Sequence, residues 1–262
     1  MRKLLMLVLM ALYVSVNAAE LGMNEHPGTM IPLDLKFINE EGKEVTLKKM
    51  MDGKPTMITL NYYKCAGICG PQLADMAKML SKLDLAENTD YKVLTISFAE
   101  DETPDLAKRK RAAYLSSITR DFVQDAWHFL IGENNSSGIL ADKIGFTFKK
   151  DVQENGAVDY IHPGSLIMLS PEGKVTRYLN GIGQLPFDVK MAVIEAGEGK
   201  VGPTIAKKLL FCFAYDPKGK TYVFKWEKIV GIIMTLIMLA FFIYLVMTTK
   251  RDDTNHHNKG DN

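Results

Sequence analysis

The chain has 262 residues, with 32 lysines and arginines against 31 aspartates and glutamates, and a formal net charge of +1. This balance, without a basic stripe of interleaved aromatic residues, argues against nucleic acid as a partner. Three cysteines are too few for a disulfide scaffold, so the fold must depend on an ordinary hydrophobic core.

The N-terminus has the pattern of a secretory signal peptide. Arg2 and Lys3 precede an apolar stretch over residues 4–16, and two small alanines follow. We therefore predict a signal peptide over residues 1–18. The alternative interpretation is an uncleaved N-terminal anchor, which would give the protein two membrane spans.

From residue 33 onward, apolar periodicity predicts a series of strands and helices. In chain order, it predicts a hairpin at 33–37 and 44–47, a strand at 57–63, a helix through Leu73 and Leu83, a strand at 93–98, a helix beginning at Pro104, a strand at 127–131, a helix through Ile139 and Ile144, a short segment at 146–152, a hairpin at 165–169 and 175–179, and a helix beginning at Pro186. This order indicates an α/β fold whose mixed sheet is flanked by helices. It is the order of a thioredoxin-like domain with an N-terminal hairpin, to which we assign residues 19–198.

The C-terminal part has the pattern of a membrane anchor. Residues 229–247 form an uninterrupted uncharged stretch that is long enough to cross a bilayer as a transmembrane helix. Together with the signal peptide, this span would leave a short cytoplasmic tail at 248–262 and the preceding chain outside the membrane. The juxtamembrane segment at 199–228 contains an apolar run at 205–213, which would form a helix either at the membrane surface or against the domain.

The most informative feature is a pair of cysteines directly after the predicted strand at 57–63. Cys65 and Cys69 lie four residues apart, and Gly70 and Pro71 begin the next predicted helix. Unpaired N–H groups at a helix start stabilise thiolates, so the pair suits either a reversible disulfide or a soft metal ion. A static disulfide is a further interpretation, although so short a loop would contribute little stability.

A copper(I) site with two thiolates is completed well by one imidazole nitrogen. Among the five histidines, His162 lies just before the predicted strand at 165–169, in a loop that borders the cysteine turn of a thioredoxin-like sheet. The other four are less suitably placed: His26 lies in the N-terminal leader, His128 within a predicted strand, and His256 and His257 in the predicted tail.

Two further features bear on function. Cys212 lies near the predicted span, where we expect a buried free thiol.

An acidic cluster of Glu100, Asp101, Glu102 and Asp105 follows the second long strand and could attract a cation or a basic partner. Such a cluster usually lies in a solvated loop that includes a helix cap.

These motifs resemble the Sco/SenC family over residues 33–194. The resemblance lies in the Cys-x-x-x-Cys after a strand, in the Glu-Thr-Pro helix start and in His162 before a Ser-Pro-Glu-Gly hairpin. It continues into residues 195–202 and 209–217, as in a bacterial subgroup with a C-terminal anchor. The chain departs from the family's pattern at Gly70, where the family usually has proline, and in having its anchor at the C-terminus rather than the N-terminus.

The resemblance implies a thioredoxin-like, membrane-anchored metallochaperone that helps to assemble the dinuclear copper centre of cytochrome c oxidase. It implies Cys65, Cys69 and His162 as copper ligands, and the oxidase subunit that carries the centre as the partner. The protein would then be a single-pass protein of a bacterial cytoplasmic membrane, with its soluble domain facing the periplasm or the cell exterior.

The alternative interpretation is an enzyme, a thiol-disulfide oxidoreductase that reduces client cysteines. It needs only Cys65 and Cys69 as a redox pair, one attacking a disulfide and the other resolving it, and a thioredoxin-like reductant to restore them. A peroxide-reducing enzyme of the same fold is a third hypothesis, but no arginine is obviously placed beside Cys65.

Overall fold

The structure is a computed structural model of the chain. The chain divides into two compact units, Met1–Thr204 and Ile205–Asn262. The residues that the structure describes are 22–65, 67–99, 101–152, 158–202, 213–216, 221–224, 234–235, 237–239 and 241–242.

The first unit alternates strands and helices in the predicted order. Its strands are β1 (Lys36–Ile38), β2 (Glu44–Thr46), β3 (Thr56–Asn61), β4 (Lys92–Ser97), β5 (Trp127–Gly132), β6 (Lys149–Val152), β7 (Val158–Ile161), β8 (Ser165–Leu169) and β9 (Val175–Asn180). Its helices are α1 (Leu47–Met51), α2 (Cys69–Leu80), α3 (Pro104–Leu115), α4 (Ser136–Ile144) and α5 (Pro186–Gly197), with a 3₁₀ turn at Gln124–Ala126.

Seven of these strands form one mixed sheet in the order β2-β1-β5-β4-β3-β8-β9. The three central strands are parallel, whereas β1 pairs antiparallel with β5 and β8 pairs antiparallel with β3. This arrangement is the mixed α/β sheet, flanked by helices and extended by an N-terminal hairpin, that the sequence predicted. The hairpin β6–β7 forms a separate two-stranded sheet, and the sequence predicted only a short segment there.

The core lies on both faces of the sheet. Every residue of β3 and β4 is buried, because parallel central strands are covered by helices on both sides. Residues of α1 and α4 pack on one face and residues of α2, α3 and α5 on the other. The parallel order also places the carboxyl ends of β3, β4 and β5 at the same edge of the sheet.

A buried ionic network ties the N-terminal hairpin to β5. The carboxylate of Glu40, which is 6% exposed, accepts hydrogen bonds from His128 Nδ1 (2.9 Å) and from the backbone N–H of Phe129 (3.2 Å). Arg111 Nε lies 3.1 Å from the same carboxylate. Burial by itself would raise the pKa of Glu40, but the bond to His128 and the charge of Arg111 outweigh it and leave the pKa below its ordinary value.

We expect Glu40→Gln to lower the free energy of unfolding at pH 7 by about 2–3 kcal/mol, because it leaves Arg111 and His128 without their buried charged partner. Since folding lowers the pKa of Glu40, the stabilisation is complete above the unfolded-state value and is lost as the pH falls through the folded-state value. Urea denaturation at several acidic pH values measures both effects. Glu41→Gln is the matched control, because Glu41 is exposed; equal losses in the two variants would contradict the prediction.

The second unit contains a two-stranded antiparallel sheet of β10 (Phe213–Asp216) and β11 (Thr221–Phe224). The sequence predicted no strands in this juxtamembrane segment. Among the residues that the structure describes, no helix is both long and apolar enough to span a membrane. Seven positions of the predicted span are described; they are helical, and their side chains are exposed.

Several predictions fall outside the described residues. These are the signal peptide at 1–18, most of the span at 229–247, the tail at 248–262 and Cys212. The membrane span and the domain boundaries at 18, 198, 228 and 247 therefore stay predictions.

Candidate metal centre

The antiparallel pairing of β8 with β3 brings His162 to the two cysteines. Ile58 lies opposite Ile167 in this register, so the loop that precedes β8 must pass beside the loop that follows β3. The ligand atoms of Cys65, Cys69 and His162 all lie within 4.8 Å of one another, and Cys69 Sγ is 3.2 Å from His162 Nε2. This trio is the only group of three or more potential metal-ligating Cys, His, Asp or Glu side chains in the described part of the chain.

The two cysteines occupy different positions in the local fold. Beyond the end of β3 the chain turns, and the backbone N–H of Cys65 donates to the carbonyl of Tyr62 at 3.3 Å. Cys69 is the first residue of α2 and is 3% exposed, whereas Cys65 is half-buried. Both are free thiols in the structure. Cys65 therefore lies at the opening of the site and Cys69 lies inside it.

The orientation of His162 leaves one ring nitrogen available. Its Nδ1 lies 3.0 Å from the carbonyl oxygen of Pro163. Because a carbonyl can only accept, Nδ1 carries the proton and Nε2 presents its lone pair towards the sulfurs. The rings of Phe98, Tyr62 and Phe146 surround the imidazole, with centroids at 5.2, 5.8 and 6.0 Å. This packing restricts the rotation of the ring.

Hydrogen bonds and burial act in opposite directions on the two thiols. The pKa of Cys65 lies well below its ordinary value, because its sulfur accepts hydrogen bonds from the Cys69 thiol and from the backbone N–H groups of Cys69 and Gly67, the latter at 3.2 Å. Burial raises the pKa of Cys69 far above its ordinary value, although Cys69 is at a helix start that would favour a thiolate. Of the two thiols, Cys65 is therefore the one that ionises more readily.

We expect iodoacetamide to label Cys65 before Cys69 in the reduced, metal-free protein, because Cys65 is the more accessible thiol and ionises more readily. The labelling rate of an ordinary thiol rises roughly 75-fold between pH 6 and pH 8, whereas the rate at Cys65 should change much less. Mass spectrometry of the labelled peptides over this pH range gives both rates. Faster labelling of Cys69, or an ordinary pH profile at Cys65, would contradict this order of ionisation.

The other two described histidines lie outside the cluster. His26 Nδ1 lies 3.2 Å from the carbonyl oxygen of Lys143, and His128 is buried in β5 against Glu40. The predicted tail, with the other two histidines, lies outside the described residues. The structure thus brings together the three residues that the sequence predicted as ligands, and adds neither His26 nor His128.

Glu102 is buried, and the prediction of a solvated loop is wrong for this residue. We expected the acidic cluster to lie in a solvated loop, and Asp101 is indeed exposed and pairs with Lys64. Glu102, however, is 8% exposed and accepts hydrogen bonds from the backbone N–H groups of Tyr63 and Lys64. Burial raises its pKa above the ordinary value. No sequence signal distinguished it from its acidic neighbours, because the contact depends on two strands ending at the same sheet edge.

The fold and site together define a thioredoxin-like domain with two cysteines and one histidine at one edge of its sheet. The family model described as SCO1/SenC matches residues 25–188. That match covers more than half of the chain, so the chain belongs to the SCO1/SenC family, as its motifs indicated.

A relative and several solved structures share this domain. The protein described as SCO1 protein homolog of Bacillus subtilis (strain 168) is 30% identical over 154 residues, which cover 58% of this chain and 75% of that protein. BsSco is 26% identical, with a TM-score of 0.50 over 67% of this chain and 98% of BsSco. Its structure identified a disulfide switch, and it is described as a member of the Sco family of cytochrome c oxidase assembly proteins.

Two further structures have the same fold. An Aquifex aeolicus VF5 protein, provisionally described as an electron transfer protein, is 26% identical, with a TM-score of 0.57 over 67% of this chain and 96% of that one. Yeast Sco1 with copper bound is 19% identical, with a TM-score of 0.50 over 71% of this chain and 94% of that one. At this lower identity the likeness to yeast Sco1 establishes the common fold alone.

Proposed function

We propose that this protein is a copper-binding accessory protein, or metallochaperone, that holds copper on Cys65, Cys69 and His162. The observation that carries the proposal is the convergence of two thiol sulfurs and a bare imidazole nitrogen within 4.8 Å. Soft thiolate ligands select Cu(I), and imidazole also suits copper. Membership of the SCO1/SenC family supports copper over zinc or a redox-only pair.

The electrostatics of the site suit a cation that is bound and later passed on. Cys65 is the more accessible and more readily ionised sulfur, so it is the first that an arriving copper ion meets. The buried Cys69 must lose its proton to become a ligand, and the copper ion offsets the cost of a buried negative charge there. Binding thus releases protons and strengthens as the pH rises.

The proposed client is the cytochrome c oxidase subunit that carries the dinuclear copper centre. The description of the related BsSco as an oxidase assembly protein supports this proposal. Export by the signal peptide at 1–18 and anchoring by a span at 229–247 would present the copper site at the outer face of a bacterial cytoplasmic membrane, where that centre is assembled.

We expect Cys65→Ala or Cys69→Ala to abolish stoichiometric Cu(I) binding by the reduced protein, because a single thiolate remains. His162→Ala should weaken binding by more than the roughly 10–100-fold that follows loss of an outer partner of a metal ligand. Competition with a colorimetric Cu(I) chelator measures these affinities, and His26→Ala is the control because His26 lies outside the cluster. Unchanged affinity in His162→Ala would exclude the three-ligand site.

A thiol-disulfide oxidoreductase is the second candidate function, and the low pKa of the half-buried Cys65 favours it. The Cys65 thiolate would attack a client disulfide and release one client thiolate. The Cys69 sulfur would then attack the mixed disulfide, lose its proton and release the second client thiolate. The client gains two electrons, and a thioredoxin-like reductant must restore the oxidised pair. Client reduction that survives His162→Ala, without Cu(I) binding by the wild type, would favour this function.

We expect the full-length protein to fractionate with bacterial membranes and to resist extraction at alkaline pH, because a 19-residue apolar span anchors it permanently. Replacing Leu239 with Arg, at the middle of the span, should release a fraction of the protein, and Asp253→Arg in the predicted tail is the control. Immunoblotting of the two fractions tests the anchor. Quantitative release of the wild-type protein at alkaline pH would contradict it.

A further inference from the structure

The carboxylate of Glu102 lies beneath the loop that presents Cys65. Glu102 immediately precedes Thr103, the N-cap residue of α3, and is 8% exposed. Its Oε1 accepts hydrogen bonds from the backbone N–H groups of Tyr63 and of Lys64, the latter at 2.9 Å. Its Oε2 accepts the hydroxyl proton of Ser97, the last residue of β4. The side chain therefore connects the end of β4 to the chain that leaves β3.

The backbone N–H groups of Tyr63 and Lys64 have no partner strand to accept their hydrogen bonds. The ladder between β3 and β4 ends at Asn61 and Ser97, so Tyr63 and Lys64 lie beyond it. Tyr63 is only 2% exposed, and a buried N–H group without an acceptor costs about 1–3 kcal/mol. Glu102 supplies the acceptor that a neighbouring strand would otherwise supply. It thereby holds the backbone of Tyr63 and Lys64, the two residues before Cys65, in place.

A second contact at the same place is weaker. The ammonium group of Lys64 pairs with Asp101 and lies 3.0 Å from the carbonyl oxygen of Asp101. Both side chains of this pair are more than half exposed, and exposed ion pairs contribute about 0–1 kcal/mol. The buried bonds to Glu102 are thus the main restraint on the loop.

We propose that Glu102 is a positioning residue for the metal centre, holding the backbone ahead of Cys65 so that its sulfur faces Cys69 and His162. The proposal rests on the proposed function for its metal. It also applies to the metal-free dithiol, because the same restraint brings the two sulfurs together. The hydrogen bonds of Glu102 go to the backbone of Tyr63 and Lys64 and to Ser97, so the residue acts through the loop backbone.

The geometry separates a hydrogen-bonding role from a role of charge. Both loop bonds go to one oxygen, Oε1. In Glu102→Gln, the amide oxygen can accept both bonds, and the amide nitrogen can donate to the hydroxyl oxygen of Ser97. In Glu102→Asp, the charge remains but the side chain is one methylene shorter, so the loop N–H groups lose their acceptor. If Glu102 acted through its charge instead, Glu102→Gln would impair the site and Glu102→Asp would not.

Two measurements on the full-length protein test the proposal. The first is Cu(I) affinity by chelator competition. The second needs no copper: it is the equilibrium of the Cys65–Cys69 disulfide with glutathione, in which two protein thiols become a disulfide while oxidised glutathione becomes two reduced molecules. Glu40→Gln is the matched control, because Glu40 is equally buried and also bonds to a backbone N–H but does not bond to the loop.

We expect Glu102→Ala and Glu102→Asp to weaken Cu(I) binding at least about tenfold and to shift the glutathione equilibrium towards the dithiol. Glu102→Gln should stay within about threefold of the wild type in both, and so should Glu40→Gln despite its lower stability. Wild-type behaviour of Glu102→Asp, or an impaired Glu102→Gln beside a normal Glu102→Asp, would overturn the proposal. Failure of the wild type to bind Cu(I) would contradict the proposed function, and the glutathione equilibrium would still decide the role of Glu102.

Discussion

The metal centre depends on one long-range constraint, the antiparallel pairing of β8 with β3. The cysteines follow β3 and His162 precedes β8, so 93 residues separate Cys69 from His162 along the chain. The register that places Ile58 opposite Ile167 brings those two loops together at one edge of the sheet. Every residue of both strands is buried, and a slip of one residue would reverse the faces of their side chains. The hydrophobic core therefore specifies the position of His162.

The same edge concentrates groups whose charges are costly to bury. Cys69 and Glu102 are both buried, and burial disfavours the charged form of each. Burial also raises the pKa of Cys65, but the hydrogen bonds that its sulfur accepts outweigh this cost. Two thiols of different character are useful for either candidate function. A cation can neutralise the buried sulfur, and a disulfide exchange needs one exposed, ionised sulfur beside a protected one.

Much of the fold could be predicted from local patterns. The mainly apolar runs of β3 and β4 indicated buried strands. The Thr103-Pro104 pair marked the start of α3, where Thr103 accepts from the N–H of Leu106. The hairpin β6–β7 was not predicted, because its strands alternate weakly and β6 is exposed throughout. Strands β10 and β11 were also missed, in a segment whose apolar run indicated a helix.

The sequence by itself determined the ligand types. The spacing of Cys65 and Cys69 at a helix start depends on contiguous residues, and the position of His162 before a strand could be inferred once the order of strands indicated a thioredoxin-like sheet. Only the tertiary structure decided that Cys65 is the more readily ionised thiol, that Nε2 of His162 faces the sulfurs, and that Glu102 accepts hydrogen bonds from the loop. These properties depend on burial and on contacts between distant segments, which the order of residues along the chain does not specify.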